Sequence, residues 1–118
     1  MNEYMLFIKA KGNPVAHLPI EQQKVHIDKV GNFIGGLATQ GKMKSAQPLE
    51  AAGATLSFSD GNFEDEKYDE SQEGILGYYH LLADDLSDAI SIAKADPRFE
   101  AGEWKIEVRP VLKVDGIN

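Results

Sequence analysis

From Tyr4 to Lys9 the chain is apolar and β-prone, and the run ends at the turn signal Lys11-Gly12-Asn13-Pro14, so a first strand is expected there. The period then changes. Ile27, Val30, Ile34 and Leu37 recur at three- and four-residue spacing, one stripe of a helix running from about Ile20, after Pro19, to a stop near Gly41. Gly35-Gly36 inside it costs up to about 1 kcal/mol per glycine relative to alanine. Close backbone packing against another element is the expected compensation, with a kink as the alternative. A short segment from Lys42 to Pro48 precedes a strand through Ala54-Thr55-Leu56-Ser57-Phe58, and Gly74 to Ala83 reads as a buried strand. Asp85-Leu86-Ser87-Asp88 has the layout of a capping box, with Asp85 as N-cap and Asp88 in the place of the usual glutamate. The helix it opens is expected to bury Leu86, Ala89, Ile90 and Ala93 and to end at Pro97. The last strand alternates, with Trp104, Ile106, Val108 and Leu112 on one face and Lys105, Glu107, Arg109 and Lys113 on the other.

Strand, helix, strand, strand, helix, strand is the order of an α+β, ferredoxin-like split βαβ sheet (βαββαβ). All 118 residues fit one domain, with no repeat and no linker. Such a sheet carries helices on one face only. If the Trp104, Ile106 and Val108 parity faces outward, a twin subunit is the expected cover, giving a homodimer.

Composition narrows the picture. Hydrophobic residues make up 42% and charged residues 26%, values that support a packed core rather than disorder. The absence of cysteine removes disulfides, thiolate metal sites and cysteine nucleophiles. The apolar run after Met1 is too short for a signal peptide, and no stretch approaches the length of a membrane span, so a cytoplasmic location is expected.

The net charge of −7 is concentrated. Between Ser59 and Glu73, seven acids (Asp60, Glu64, Asp65, Glu66, Asp69, Glu70, Glu73) face one base, Lys67. The segment reads as a solvated acidic loop, 59–73, too charged to be a core element, with a lid over a ligand cleft as the alternative. Asp60, Asn62, Glu64 and Glu66 alternate like an EF-hand loop, but Asp65 and Ser71 occupy the places of its glycine and its closing glutamate, so no calcium site is expected. No basic stripe exists to track phosphates, which disfavours direct nucleic-acid binding. His17, His26 and His80 make no zinc pattern, and there is neither a glycine-rich phosphate cradle nor a serine nucleophile elbow. No cofactor is expected.

Four stretches in order resemble the YCII-related family, in its DGPF-domain branch. They are Glu3-Tyr4-Met5-Leu6-Phe7; the run Gly35 to Gly41 with Gln47-Pro48-Leu49-Glu50; Ser59-Asp60-Gly61-Asn62-Phe63-Glu64; and Gly77-Tyr78-Tyr79 with Glu107-Val108-Arg109-Pro110-Val111. Asn62 stands where the branch motif has proline, and Glu64 to Glu73 replaces a shorter mixed-charge loop. The resemblance implies a dimeric α/β barrel of two ferredoxin-like sheets with a cleft beside the first helix. It also implies a histidine–aspartate active site, whose matching positions here are His26 and Asp96 of the Asp96-Pro97 step.

Helical spacing places His26 beside Val30, Phe33 and Leu37, at the edge of the apolar stripe, where a general base and a partly buried structural histidine are both at home. Asp96 follows a helix C-terminus, where the macrodipole disfavours negative charge; protonated His26 would offset that, or Asp96 simply folds back on its own turn. Tyr78 and His80, on one face of their strand, and Asp60, at the head of the acidic segment, complete the candidates as substrate contacts. Two functions follow. One is a cofactor-free enzyme using His26 and Asp96 for proton transfer on a small molecule. The other is a non-catalytic module binding a small molecule or a protein partner, linked through the DGPF branch to transcription regulation.

Overall fold

Alternation along β1 (Asn2–Lys11) separates the inside of the sheet from the outside: Tyr4, Leu6, Ile8 and Ala10 are buried, while Met5 and Phe7 on the other face are half-buried. The computed structural model describes residues 1–118. After β1 come α1 (Ile20–Thr39), β2 (Met43–Pro48), β3 (Ala54–Ser59), β4 (Asn62–Lys67) and β5 (Glu73–Ala83). They are followed by α2 (Leu86–Lys94), a 3₁₀ turn (Pro97–Glu100) and β6 (Lys105–Pro110). Four strands form an antiparallel sheet in the order β2-β5-β1-β6, the ferredoxin-like arrangement, with β1 and β5 at its centre. Buried residues of both helices, Leu37 of α1 and Ala89 and Ala93 of α2, join Tyr4, Leu6, Ile8, Tyr79, Leu81 and Ala83 in one core.

The second sheet strand is not the one its β-propensity favours. Lys42 to Pro48, read from sequence only as a short segment, supplies the sheet edge β2, because Ala46 can face the core opposite Tyr79 while Ser45 and Gln47 face outward. The more β-prone Ala54–Ser59 run pairs instead with the acidic segment. That segment is therefore not a loop from 59 to 73. Its residues 62–67 are a strand, and Asp60-Gly61 forms the two-residue turn, with φ of 51° and 77°, the left-handed conformation at both central positions that hairpin turns require. Pairing places Leu56, Phe58 and Phe63 on one face of the hairpin and Glu64 and Glu66 on the other; the Phe58 and Phe63 rings lie 4.8 Å apart. Every residue of both strands is exposed, so the hairpin projects from the body as an arm. Tyr68 anchors its root, donating its N–H to the Gly53 carbonyl at 2.9 Å and packing its ring against Gly74.

An isolated two-stranded hairpin is marginal in water, so the arm adds little to global stability. Replacing residues 54–67 by a short Gly/Ser link, with Gly53 and Tyr68 kept, is expected to change unfolding free energy by less than about 1 kcal/mol. Urea denaturation checks this, and a larger loss would make the arm structural.

Three further expectations are corrected. A side chain at Gly35 or Gly36 would meet nothing within 4 Å, so no close packing of α1 explains these glycines. In α2, Ala89 and Ala93 are buried but Leu86 and Ile90 are 43% and 37% exposed; Ile92 packs on the core instead, because the helix is short and turns its alanines to the sheet. On β6, Ile106 and Val108 lie opposite Ile8 and Leu6, so their parity faces inward. The outward face carries Met5, Phe7, Tyr78 and Leu82, with Glu3 and His80 among them.

Candidate functional site

A cleft of about 580 Å³ lies between α1 and the β2–β5 edge, within the range of small-molecule sites. Helix α1 supplies one wall through His26, Val30 and Ile34, and Ala46, Pro48 and Leu76 line the sheet side. The helix is positioned by its entry turn: Pro19 presents its carbonyl to the N–H groups of Gln22 and Gln23, and the Gln23 amide donates to the Leu18 carbonyl at 2.8 Å. Gly77 lets β2 approach. A Cβ there would stand 3.0 Å from the Gln47 carbonyl oxygen, so any side chain would push the cleft's edge strand away.

The end of the cleft is built by Tyr79, Arg98 and Trp104. Asp96 lies behind them, its side chain fully enclosed. One carboxylate oxygen caps the 3₁₀ turn, accepting the Arg98 backbone N–H at 2.9 Å; the other accepts the Tyr79 hydroxyl at 3.0 Å and Arg98 Nη1 at 3.1 Å. Arg98 Nη1 also donates to the Tyr79 oxygen. The guanidinium lies over two rings, 5.5 Å from the Tyr79 centroid and 5.7 Å from that of Trp104. Burial pushes the Tyr79 phenol above its ordinary range, so it stays protonated and able to donate.

Asp96 is thus not hydrogen-bonded to His26. The fold-back on its own turn describes one of its oxygens, and Arg98 and Tyr79 satisfy the other. His26 stacks on Trp104 instead, with centroids 6.2 Å apart and planes 13° from parallel. Its pKa is lowered, against the rise that direct pairing would bring: partial burial disfavours the cation first, the Arg98 charge adds to this, and Asp96 opposes it. Because the folded pKa is below the unfolded one, His26's contribution to stability is full above about pH 6.5 and is lost as pH falls through its folded midpoint. An NMR titration of the His26 ring is expected to give a midpoint below about 6.5 in the native protein and a lower one still in Asp96→Asn, which removes the opposing charge. A midpoint above that value would contradict the geometry.

Of the other candidates, Tyr78 borders the cleft on β5, but its side chain lies on the open face of the sheet opposite Phe7. His80 does not border the cleft. It lies on the open face of the sheet, 2.7 Å from Glu3, whose carboxylate also holds Lys44 at 3.0 Å and Lys113. These partners, Lys113 foremost, bring Glu3 down to about 2. Asp60 is at the arm's tip, in its turn, away from the cleft. The residues that sequence reasoning missed are Arg98, Tyr79 and Trp104. Pattern alone reads Tyr79 as core and Trp104 as strand packing; the one usable signal was Arg98, a cation immediately after an Asp-Pro helix stop.

No group of histidine and carboxylate side chains is arranged to hold a metal ion, and no helix is long and apolar enough to cross a membrane. No curated protein matches the chain. A family model does: the YCII-related domain matches residues 2–115 of the 118, spanning both helices, the whole sheet and every residue of the cleft, and the chain belongs to that family.

Proposed function

We propose that the cleft binds a small, largely apolar molecule and that His26 takes a proton from it as a general base, without a cofactor. The observation that carries this reading is His26 on the wall of a 580 Å³ cleft, with its pKa lowered, so the free base is present at neutral pH. Asp96 has no contact with the ligand in this reading. It is a positioning residue, fixing Arg98 and the Tyr79 hydroxyl at the end of the cleft. The protein works as a homodimer, with the half-apolar open face around Met5, Phe7, Tyr78 and Leu82 as the surface a second copy covers.

The test uses 5-nitrobenzisoxazole, a small neutral aromatic compound whose ring opens on loss of one proton. The protein is expected to accelerate ring opening over buffer, with a rate that rises with pH through a midpoint below about 6.5, and His26→Ala is expected to lower the rate about 10²-fold or more. Absence of acceleration, or an unchanged rate in the variant, would refute proton transfer at this site. One observation favours a second reading, a module acting through a protein contact in transcription regulation. Leu56, Phe58 and Phe63 of the arm are 67%, 61% and 75% exposed, an apolar patch on a face that also carries Asp65 and Lys67.

A further inference from the structure

Nineteen acidic residues are distributed over this chain, yet none lines the cleft. Lysines are absent from its walls too. The one permanently ionised side chain that lines it is Arg98, whose surface is 13% exposed. Its hydrogen bonds to protein all run through one side of the guanidinium: Nη1 serves Asp96 and Tyr79. Nε and Nη2 have no protein partner, and neither is among the polar atoms sealed from solvent. A guanidinium held by two aromatic rings and a buried carboxylate is fixed in place before any ligand arrives. Its open edge is the planar side-on fork of Nε–H and Nη2–H, which matches the two oxygens of a carboxylate.

We infer that Arg98 anchors a carboxylate on the ligand of this cleft, so that the ligand class is a small monocarboxylate with an apolar or aromatic body. This rests on the cleft being a small-molecule site, and it names what that site selects. The apolar body lies against Val30, Ile34 and Leu76, and the carboxylate sits at the Arg98 end, beside the indole on which His26 stacks. Asp96 already balances the guanidinium charge, so the ligand's charge is met by a charge-assisted pair of hydrogen bonds and not by a net surplus of positive charge. One negative charge is then accommodated and two are not, which favours a carboxylate over a phosphate ester. Asp96 acquires a second purpose: by occupying Nη1 it leaves the other edge of Arg98 free for a ligand.

The experiment compares binding of benzoate, its neutral isostere benzamide and the dianion phenyl phosphate to the whole chain at pH 7.5, by chemical-shift titration of the His26 and Trp104 rings. Benzoate is expected to bind about tenfold more tightly than either, the size of one charge-assisted contact in solvent-accessible surroundings. Arg98→Gln is expected to abolish the preference for benzoate over benzamide. Should Arg98→Gln fail to fold, Arg98→Lys keeps the charge but removes the fork, and is expected to lower the preference about threefold or more. Equal binding of benzoate and benzamide to the native protein, or a preference that survives loss of the fork, would overturn the anchor while leaving the cleft a ligand site. Tighter binding of phenyl phosphate would overturn the carboxylate assignment. If none of the three binds, the anchor falls together with the cleft reading.

Discussion

Asp96→Ala is expected to lower unfolding free energy by about 3–5 kcal/mol, the range for removing one partner of a buried charged pair. The carboxylate is enclosed and takes three hydrogen bonds from two residues: Arg98 through its backbone N–H and Nη1, and Tyr79 through its hydroxyl. Its loss leaves the Arg98 guanidinium uncompensated, strands a buried hydroxyl and removes the cap of the 3₁₀ turn. A hydrogen-bonding pair built of such parts is not easily rescued by water, because Tyr79 is only 3% exposed. Urea unfolding monitored by Trp104 fluorescence measures the effect. A loss of less than about 1 kcal/mol would show that the cluster is solvated rather than sealed. The Tyr79→Phe variant, which removes one donor and leaves the ion pair, is expected to lose only about 1 kcal/mol by the same measurement.

Leu81→Ala is expected to have a comparable effect, about 2–5 kcal/mol, for an unrelated reason. Leu81 is fully buried, on the central strand β5, opposite Tyr4 of β1 and Met43 of β2. Truncation opens a cavity that two strands flanking it cannot close without breaking their ladders. The two variants separate stability from site chemistry. Leu81→Ala should leave the His26 titration midpoint where it is, since Leu81 does not line the cleft, whereas changes at Asp96 should move it. A shifted His26 midpoint in Leu81→Ala would mean that core packing, and not the Asp96–Arg98 field, sets the histidine's environment.

Most of the sheet was legible in the sequence, because β1 and β5 are apolar, β-prone runs, β6 alternates, and α1 and α2 carry helical spacing, with a side-chain cap on α2. The Asp85 cap forms as read, accepting the Asp88 N–H at 2.8 Å, while Asp88 accepts the N–H of Asp84 at 2.9 Å, one residue before its usual target. The arm was not legible as a strand. Charge repulsion in Glu64-Asp65-Glu66 argued for a loop, but an exposed strand needs no burial, and the Asp60-Gly61 turn outweighs the charges. The edge strand β2 escaped for the opposite reason: Lys44, Ser45 and Gln47 look like a loop until β5 provides a ladder. At the site, nothing in linear spacing reveals that Asp96 bonds to Arg98 and Tyr79 while His26 stacks on Trp104. That fact lives in the tertiary structure, where the 3₁₀ turn folds Arg98 back over the sheet.

The projecting arm also alters how the molecule moves through water. The radius of gyration is 16.3 Å, against roughly 13–14 Å for a rounded chain of this length, and the longest and shortest dimensions are 47 and 19 Å. A 13.0 kDa monomer of this outline drags like a heavier sphere. It will leave a sizing column early and tumble slowly in solution, mimicking two subunits without a second one. Mass measured by light scattering, compared between the native chain and the one with residues 54–67 replaced, separates drag from association: shortening the arm changes the elution volume in either case, and only the scattered intensity counts the subunits.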